Sequence, residues 1–284
     1  MLVCSLSLRT FAVLEFEIMW IVHLALSLAT LYAATITGMF FAQTWLLFAT
    51  ILAGAVRAQL PASTQHLEVR TPDGESLAGV QILGKAQCAP TLLGFGGNAW
   101  NAEIMALTLH RLFPDRHVIA FHYRGYAKSS GRPSAQALLT DSLEVFDHLE
   151  QAQTNKPIVV VGFSIGSGVA AYLAQHRPVA GLILVTPFDS LEALARDLYW
   201  WAPVRLLFRH RMPTIEFVRG SLAPTALIIA QRDTVVPARR SAPLRPAIRN
   251  LVFERTIDAG HNDIYDRPAF AAAMREALAR IEAV

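Results

Sequence analysis

The apolar runs after residue 60 alternate between two lengths, which predicts strands alternating with helices. Short runs rich in aliphatic and β-branched residues, the pattern of buried strands, lie at 91–95, 117–121, 158–161, 225–230 and 251–257. Longer stretches with helical patterning lie at 102–113, 135–152, 165–176 and 268–281. A strand-helix rhythm is typical of a mostly parallel, twisted sheet. We therefore expect an α/β fold with helices on both faces of the sheet.

A different pattern, strict alternation of apolar and polar residues, precedes this region. It occurs at 64–70 and 77–83, which are joined by the turn sequence Thr-Pro-Asp-Gly-Glu at 71–75. The combination predicts an antiparallel hairpin at the edge of the sheet.

The strand-helix rhythm breaks between about residues 190 and 223, which indicates a short lid insert. We predict that Trp200 and Trp201 in this insert bind substrate. The basic amphipathic run at 204–211 is suited to anionic headgroups. The alternative is a solvated basic helix that packs on the core through three apolar residues, Leu206, Leu207 and Phe208.

From residue 18 to residue 56 the chain contains no Asp, Glu, Lys or Arg. A helix of about 20 apolar residues crosses a bilayer, so we predict a single-pass transmembrane helix at about residues 18–41. We expect an interfacial break at 43–45, since glutamine is costly in lipid and tryptophan favours the headgroup region. Residues 46–56 make about half a span and are expected to lie at the interface or to pack on the catalytic domain.

Three alternatives for this N-terminal segment stay open. Residues 53–55 resemble a secretory cleavage site, but the apolar stretch is far longer than the about 7–15 residues of a signal peptide, so we predict a retained anchor. A two-span hairpin and a natural start at Met19 are the others. The side of the membrane is undecided because the charge asymmetry around the span is slight. We assign residues 1–60 to tail, anchor and interfacial segment, and residues 61–284 to one α/β catalytic domain.

Composition argues against several classes of protein. The 284 residues carry a formal net charge of +3, and neither a clustered basic face nor a reader motif for nucleic acid is evident. Cys4 and Cys88 cannot form a disulfide framework, and no Cys/His pairs have ligand spacing, so we expect no metal. The glycines at 94–97 lack the third glycine and acidic partner of a dinucleotide fingerprint, so we expect no cofactor.

Residues 162–166 read Gly-Phe-Ser-Ile-Gly, between a strand-like run and a run of small residues. This order predicts a strand, a tight turn and a helix start, with Ser164 at the apex. The turn forces strained backbone angles on the serine, and the flanking glycines let strand and helix approach. The hydroxyl then lies at a helix N-terminus, which favours the negative charge that develops in acyl transfer.

Asp233 and His261 follow the predicted strands 225–230 and 251–257, where an open α/β sheet places the partners of such a serine. The order of serine, acid and histidine along the chain is the one that this architecture uses. A serine hydroxyl needs a base within hydrogen-bond reach, histidine has a suitable pKa, and a buried carboxylate holds the required tautomer. We predict that Ser164, Asp233 and His261 form a catalytic triad.

Other polar residues near these positions have alternative or supporting roles. Asp189, after the preceding strand, is the alternative acid. Asp258 and Asp263 flank the histidine and are expected to shape its loop. The oxyanion hole is expected to use the backbone N–H groups of Ile165, directly after the nucleophile, and of Asn98, in the loop after the strand at 91–95.

From about residue 66 onward, the motifs together resemble the α/β-hydrolase superfamily and, within it, the membrane-anchored serine hydrolases of the BEM46-like group. The matching positions are 97–99 with 101 for an H-G-N-A-G-N loop, 123–131 for Y-R-G-Y-G-x-S-x-G, the elbow at 162–166, and 187–188, 233–237 and 260–263. Gly96 stands where that loop has histidine, and Ala127 stands where the second motif has glycine. The first departure bears on the packing of the oxyanion loop.

The resemblance implies hydrolysis of carboxylic esters or thioesters, including acyl groups on lipids or proteins. A peptidase or an acyltransferase would use the same nucleophile, and a catalytically silent membrane-tethered scaffold is a further alternative. The segment 123–131 follows a strand, so its arginine and tyrosines are expected to brace loops at the rim of the site. Binding of an anionic substrate by this segment is the alternative.

Overall fold

The computed structural model describes residues 2–55, 58–86, 88–153 and 156–284, with side chains from Phe16 onward and that of Gln153 excepted. Residue 56 of the predicted interfacial segment and the side chain of Cys4 therefore lie outside the described part. The chain divides into two compact units, Met1–Gln43 and Thr44–Val284. This boundary lies closer to the N-terminus than the expected one at residue 60.

One continuous helix, α1 (Leu2–Leu47), accounts for the first unit. By length and composition, the apolar helical stretch Phe16–Ala55 is long enough to cross a membrane. Its large side chains are exposed, with Leu31 at 64%. Polar groups are satisfied within the helix, since the hydroxyls of Thr30 and Thr35 each donate to a carbonyl four residues earlier at 2.8 Å.

The predicted break at residues 43–45 is wrong, because α1 continues through them to Leu47. The Nε2 of Gln43 donates to the carbonyl oxygen of Phe40 at 2.8 Å, so the glutamine amide finds a partner without interrupting the helix. The helix ends at Leu47, two residues after the predicted break. A short helix, α2 (Thr50–Ala55), follows.

The second unit contains an eight-stranded sheet whose order is β1-β2-β4-β3-β5-β6-β7-β8. The strands are β1 (Gln65–Arg70), β2 (Ser76–Ile82), β3 (Thr91–Phe95), β4 (Val118–Phe121), β5 (Ile158–Phe163), β6 (Gly181–Val185), β7 (Thr225–Ala230) and β8 (Leu251–Ile257). The pairs β1–β2 and β2–β4 are antiparallel and the others are parallel. The edge hairpin and the mostly parallel sheet are therefore confirmed.

Helices cover both faces of the sheet, since the central strands such as β3 and β5 are buried along their whole length and successive side chains point to opposite faces. The remaining helices are α3 (Ala102–Leu112), α4 (Ala135–Gln153), α5 (Ile165–His176), α6 (Leu191–Leu198), α7 (Val204–Leu207), α8 (Thr214–Gly220), α9 (Ala238–Ser241), α10 (Leu244–Ala247) and α11 (Pro268–Glu282). One core cluster joins α4 and α5 to one face of the sheet, including Leu93 and Val160. The other joins α3 and α11 to the opposite face, including Leu92 and Val159.

The lid insert contains α6, α7 and α8 rather than one basic helix. Leu206 is 83% exposed, so the alternative of a helix packed on the core is wrong for this residue, whereas Phe208 does pack against the core. Only the first part of the basic run 204–211 is helical, and Phe208, directly after α7, has extended backbone angles (φ −76°, ψ 119°). The chain beyond it turns inward, and the side chains of His210 and Met212 are buried.

Residues 44–55, the connecting segment, pack in the second unit. Phe48 is only 2% exposed and Ala53 is fully buried. Of the two placements expected for residues 46–56, the described part therefore takes the one against the catalytic unit.

Candidate active site

The turn between β5 and α5 presents Ser164 at its apex. The serine has φ 51° and ψ −116°, a strained conformation for a residue with a side chain. A Cβ on Gly162 would lie 2.4 Å from the carbonyl oxygen of Gly166, and a Cβ on Gly166 would lie 2.2 Å from that of Phe95. Only glycine fits at both places, so the pattern read from the sequence corresponds to two close backbone approaches.

A hydrogen-bonded chain links the three residues that were predicted as a triad. The Nε2 of His261 lies 3.0 Å from the Oγ of Ser164, and its Nδ1 lies 2.6 Å from the Oδ2 of Asp233. The Oδ1 of Asp233 accepts from the backbone N–H groups of Val235 and Val236 at 2.8 and 2.6 Å. A carboxylate so held fixes the proton of the imidazole on Nδ1, which leaves Nε2 free to accept the hydroxyl proton.

Asp189, the alternative acid, has other partners. Its Oδ2 accepts from Arg240 at 3.1 Å, and its Oδ1 accepts from the backbone N–H of Ser190 at 2.8 Å. Arg240 also binds Asp197, so both carboxylates belong to one arginine-centred cluster. The structure thus brings Asp233, and not Asp189, to the histidine.

The loop that carries His261 is closed by local carboxylate contacts. The Oδ1 of Asp263 accepts from the backbone N–H of Gly260 at 2.6 Å, and its Oδ2 accepts from Arg267 at 2.5 Å. The hydrogen bond from Arg267 lowers the pKa of Asp263, so its carboxylate stays charged. Asp258 forms an ion pair with Arg232 at 2.7 Å. Both aspartates support the loop, as expected.

The loop after β3 passes directly beside the serine. A Cβ on Gly97 would lie 3.8 Å from the Cβ of Ser164, so little separates the two backbones. The Tyr123 hydroxyl donates to the carbonyl oxygen of Gly96 at 2.8 Å, and the Tyr126 hydroxyl donates to the Oδ1 of Asn98 at 2.7 Å. Burial raises the pKa of both phenols, so they remain donors across the physiological range.

Trp100 explains the glycine at position 96. This tryptophan stands where the resembled loop has its second glycine, and a Cβ on Gly96 would lie only 3.0 Å from the Cβ of Trp100. The indole packs on Phe163 and Tyr265, with ring centroids 5.2 and 5.0 Å away. A side chain at position 96 would therefore press against this tryptophan.

Arg124 braces the rim of the site. It donates to both carboxylate oxygens of Asp141, at 2.6 and 3.0 Å, and also binds Asp73. Arg124 lowers the pKa of Asp73 to about 2, so this pair stays ionised. Two carboxylates already neutralise the guanidinium, which favours the bracing role over the binding of an anionic substrate. In the same segment Ala127 has φ 47°, which explains why the resembled motif has glycine there.

The predicted lid residues lie at the surface. Trp200 is 82% exposed and Trp201 is 39% exposed, both in the turn after α6. Together with Leu206 they present an apolar surface to solvent, and their role in substrate binding stays a prediction.

Comparison with known proteins agrees with this architecture. The family model described as the alpha/beta hydrolase fold matches residues 92–212. An uncharacterized protein of Mycobacterium tuberculosis is 34% identical over 211 residues, which cover 72% of this chain and 74% of that protein. The chain belongs to the α/β-hydrolase superfamily.

Two further relatives are enzymes by name. The lysophosphatidylserine lipase ABHD12 of Mus musculus is 26% identical to this α/β-hydrolase over 199 residues, covering 58% of this chain and 49% of the lipase. The solved structure of the Pyrococcus furiosus esterase Pf2001 superposes with a TM-score of 0.64 at 21% identity, over 79% of this chain and 97% of the esterase, which shows a common fold. The family and the likeness to the lipase support a hydrolase.

Sequence reasoning missed several residues that hold the site. The side chain of Asn98 and the connecting segment meet at the loop after β3. The Nδ1 of the buried His210 accepts from the backbone N–H of Ala135, and its Nε2 lies 2.9 Å from the Oγ1 of Thr44. These contacts join residues that are 51 to 166 positions apart along the chain, so no local sequence pattern could predict them.

Proposed function

We propose that this protein is a membrane-anchored serine hydrolase that cleaves carboxylic ester or thioester bonds through an acyl-enzyme intermediate. The observation that carries the proposal is the continuous chain from the Ser164 hydroxyl through His261 to Asp233, with distances of 3.0 and 2.6 Å. Its members are a nucleophile, a base and an orienting acid, which acyl transfer requires at these separations.

The proposed reaction proceeds in two halves. The Oγ of Ser164 forms a bond to the substrate carbonyl carbon while its proton passes to the Nε2 of His261. The tetrahedral oxyanion accepts hydrogen bonds from the backbone N–H groups of Ile165 and Asn98, and Asp233 stabilises the imidazolium. The bond to the leaving alcohol or thiol then breaks, and the leaving group takes the proton from Nε2. Water then attacks the carbonyl carbon of the acyl-enzyme and gives its proton to Nε2. The bond to the Oγ of Ser164 breaks, Oγ takes the proton back, and the carboxylic acid is released.

Ile165 suits the role of oxyanion donor because it is the first residue of α5. The first N–H groups of a helix have no partner within the helix, and the helix dipole favours negative charge there. Asn98 suits the role because its loop lies beside Ser164. The two donors would approach one oxygen from different elements.

A lipid-derived or membrane-presented acyl substrate is the class that we favour. The long apolar helix α1 supplies an anchor, and Trp200 and Leu206 expose apolar surface next to the basic residues of the lid. The likeness to a lysophosphatidylserine lipase supports acyl lipids as substrates. A peptidase or acyltransferase would share the serine, and the nature of the competing acceptor distinguishes them.

Labelling with a fluorophosphonate probe tests the proposed nucleophile. Full-length protein in detergent micelles should be labelled, and Ser164→Ala should abolish labelling while Ser167→Ala, at the neighbouring serine of the same helix, should retain it. Labelling that persists in Ser164→Ala would contradict the proposal. Turnover of a panel of acyl esters, thioesters and peptides then identifies the bond that is cleaved, and faster cleavage of peptides than of esters would favour the peptidase.

A further inference from the structure

The side chain of Asn98 uses its polar atoms on groups outside its own loop. Its Nδ2 donates to the carbonyl oxygen of Leu47 at 2.6 Å. Its Oδ1 accepts from the backbone N–H of Ala49 at 3.3 Å and from the hydroxyl of Tyr126 at 2.7 Å. Leu47 is the last residue of α1, where helix carbonyls have no partner within the helix. One amide therefore bridges both sides of the break that ends the helix.

The connecting segment is fixed at further points. The ring of Phe48 lies edge-on to the ring of His210, with centroids 5.1 Å apart, and the Oγ1 of Thr44 lies 2.9 Å from the Nε2 of His210. At the other end, the Nδ2 of Asn101 donates to the carbonyl oxygen of Ala53 at 3.1 Å. The segment thus contacts both the lid and two asparagines of the oxyanion loop.

The oxyanion loop has a physical need for such support. It begins with Gly96 and Gly97, whose backbone has more conformational freedom than that of other residues. A backbone donor stabilises an oxyanion only when it is held at hydrogen-bonding distance before the charge develops. The Tyr126 hydroxyl and the connecting segment both hold this loop, because both form hydrogen bonds with the side chain of Asn98, directly after the two glycines.

We infer that the connecting segment is a positioning element of the active site, and that Asn98 is the residue through which it acts. The inference rests on the proposed function, since it assigns the backbone N–H of Asn98 to the oxyanion. The side chain of the same residue joins that N–H to the end of the apolar helix. The N-terminal helix then does more than tether the enzyme, because its last turn holds the catalytic loop in place.

Two substitutions in the full-length chain test this link. Asn98→Asp keeps the size of the side chain and an acceptor for Tyr126 but removes the donor to Leu47. Phe48→Ala removes the buried ring of the connecting segment and leaves Asn98 itself unchanged. Phe146→Ala is the matched control, since this ring on α4 is also buried, at 1% exposed, and belongs to the same core cluster.

The assay compares a short soluble 4-nitrophenyl ester with its thionoester, in which sulfur replaces the carbonyl oxygen. An oxyanion hole built for oxygen discriminates strongly between them, because sulfur is larger and a weaker acceptor. We expect Asn98→Asp and Phe48→Ala to lower kcat by about 10- to 100-fold, with KM within about threefold and a smaller ester-to-thionoester ratio. Phe48→Leu should recover most of the loss, and Phe146→Ala should lower the thermal midpoint without changing the ratio.

The outcomes separate this inference from the proposed function. Wild-type kcat and ratio in both Asn98→Asp and Phe48→Ala would overturn the inference while leaving the hydrolase assignment intact. An equal fall of the ratio in Phe146→Ala would also overturn it, since loss of stability alone would then explain the effect. A wild-type protein with no turnover and no fluorophosphonate labelling would overturn both.

Discussion

Replacing Asp233 with asparagine would test how the histidine is held. The Oδ1 of Asp233 accepts two backbone hydrogen bonds, at 2.8 and 2.6 Å, and an asparagine oxygen can take over both. The amide nitrogen would then lie at the former Oδ2 position, 2.6 Å from the Nδ1 of His261. An amide donates where the carboxylate accepted, so the imidazole proton moves to Nε2, which can no longer accept the proton of Ser164.

The expected cost is large in rate and small in stability. Loss of the correct tautomer and of the charge behind the imidazolium lowers kcat by about 10⁴-fold, or about 5 kcal/mol of transition-state stabilisation. The free energy of unfolding should change by less than about 1 kcal/mol, because the backbone hydrogen bonds to this side chain remain. Measurement of kcat on a soluble ester, together with urea denaturation of the same samples, gives both values.

Asp189→Asn is the matched control for this experiment. Asp189 is bound by Arg240 and a backbone N–H, and its substitution should leave kcat within about fivefold of the wild-type value. A greater loss of kcat in Asp189→Asn than in Asp233→Asn would refute the assignment of the acid. Retention of more than a tenth of kcat in Asp233→Asn would refute the tautomer argument.

Three further predictions concern the loops, the core and the lid. Ala127→Gly should raise the free energy of unfolding by about 1 kcal/mol in urea denaturation, because Ala127 has φ 47°, and unchanged stability would contradict this reading of the strain. Burial lowers the pKa of His122 from its usual 6.5 to about 4, and its Nδ1 accepts a hydrogen bond from a backbone N–H. The folded state therefore binds fewer protons than the unfolded state between these values, so the free energy of unfolding falls as the pH drops from about 6.5 to about 4. In His122→Asn, the loss of unfolding free energy over this pH range, measured by urea denaturation, should be smaller by up to about 3 kcal/mol, and the same loss as in the wild type would contradict this reasoning. Neutralising Arg205, Arg209 and Arg211 to glutamine should lower turnover of esters dispersed in anionic vesicles by about 10-fold or more and spare short soluble esters, whereas unchanged turnover of both would remove the support for a lid that binds headgroups.

The parts of the fold that the sequence predicted well are those set by local patterns. The strands β3, β7 and β8 have the predicted bounds. For β3 and β7 the reason is that a strand buried on both faces is a continuous apolar run that ends at a polar turn, whereas β8 lies at the edge of the sheet and is partly exposed. The elbow was predictable because one of its two close approaches, that of Gly162 to Gly166, is local in the sequence. The approach of Gly166 to Phe95 is a long-range contact. Local pattern therefore located the serine and the ends of the strands beside it.

The features that the sequence did not predict depend on contacts that local patterns do not report. Both Asp189 and Asp233 follow buried strands, and only their partners in space, Arg240 for the first and His261 for the second, distinguish them. The helix α1 continues past Gln43, whose side chain bonds to the backbone of its own helix, and hydropathy does not report this contact. Docking of the connecting segment on Asn98 joins residues 51 positions apart.

The most direct test of the account is to trap the acyl-enzyme. Full-length protein mixed with a 4-nitrophenyl ester, quenched in acid and digested, should yield one acylated peptide with the acyl group on Ser164 by mass spectrometry. His261→Ala should form this adduct far more slowly, and Ser164→Ala should not form it at all. Turnover of the ester with no acyl group on Ser164, or with the group on another side chain, would contradict the central claim.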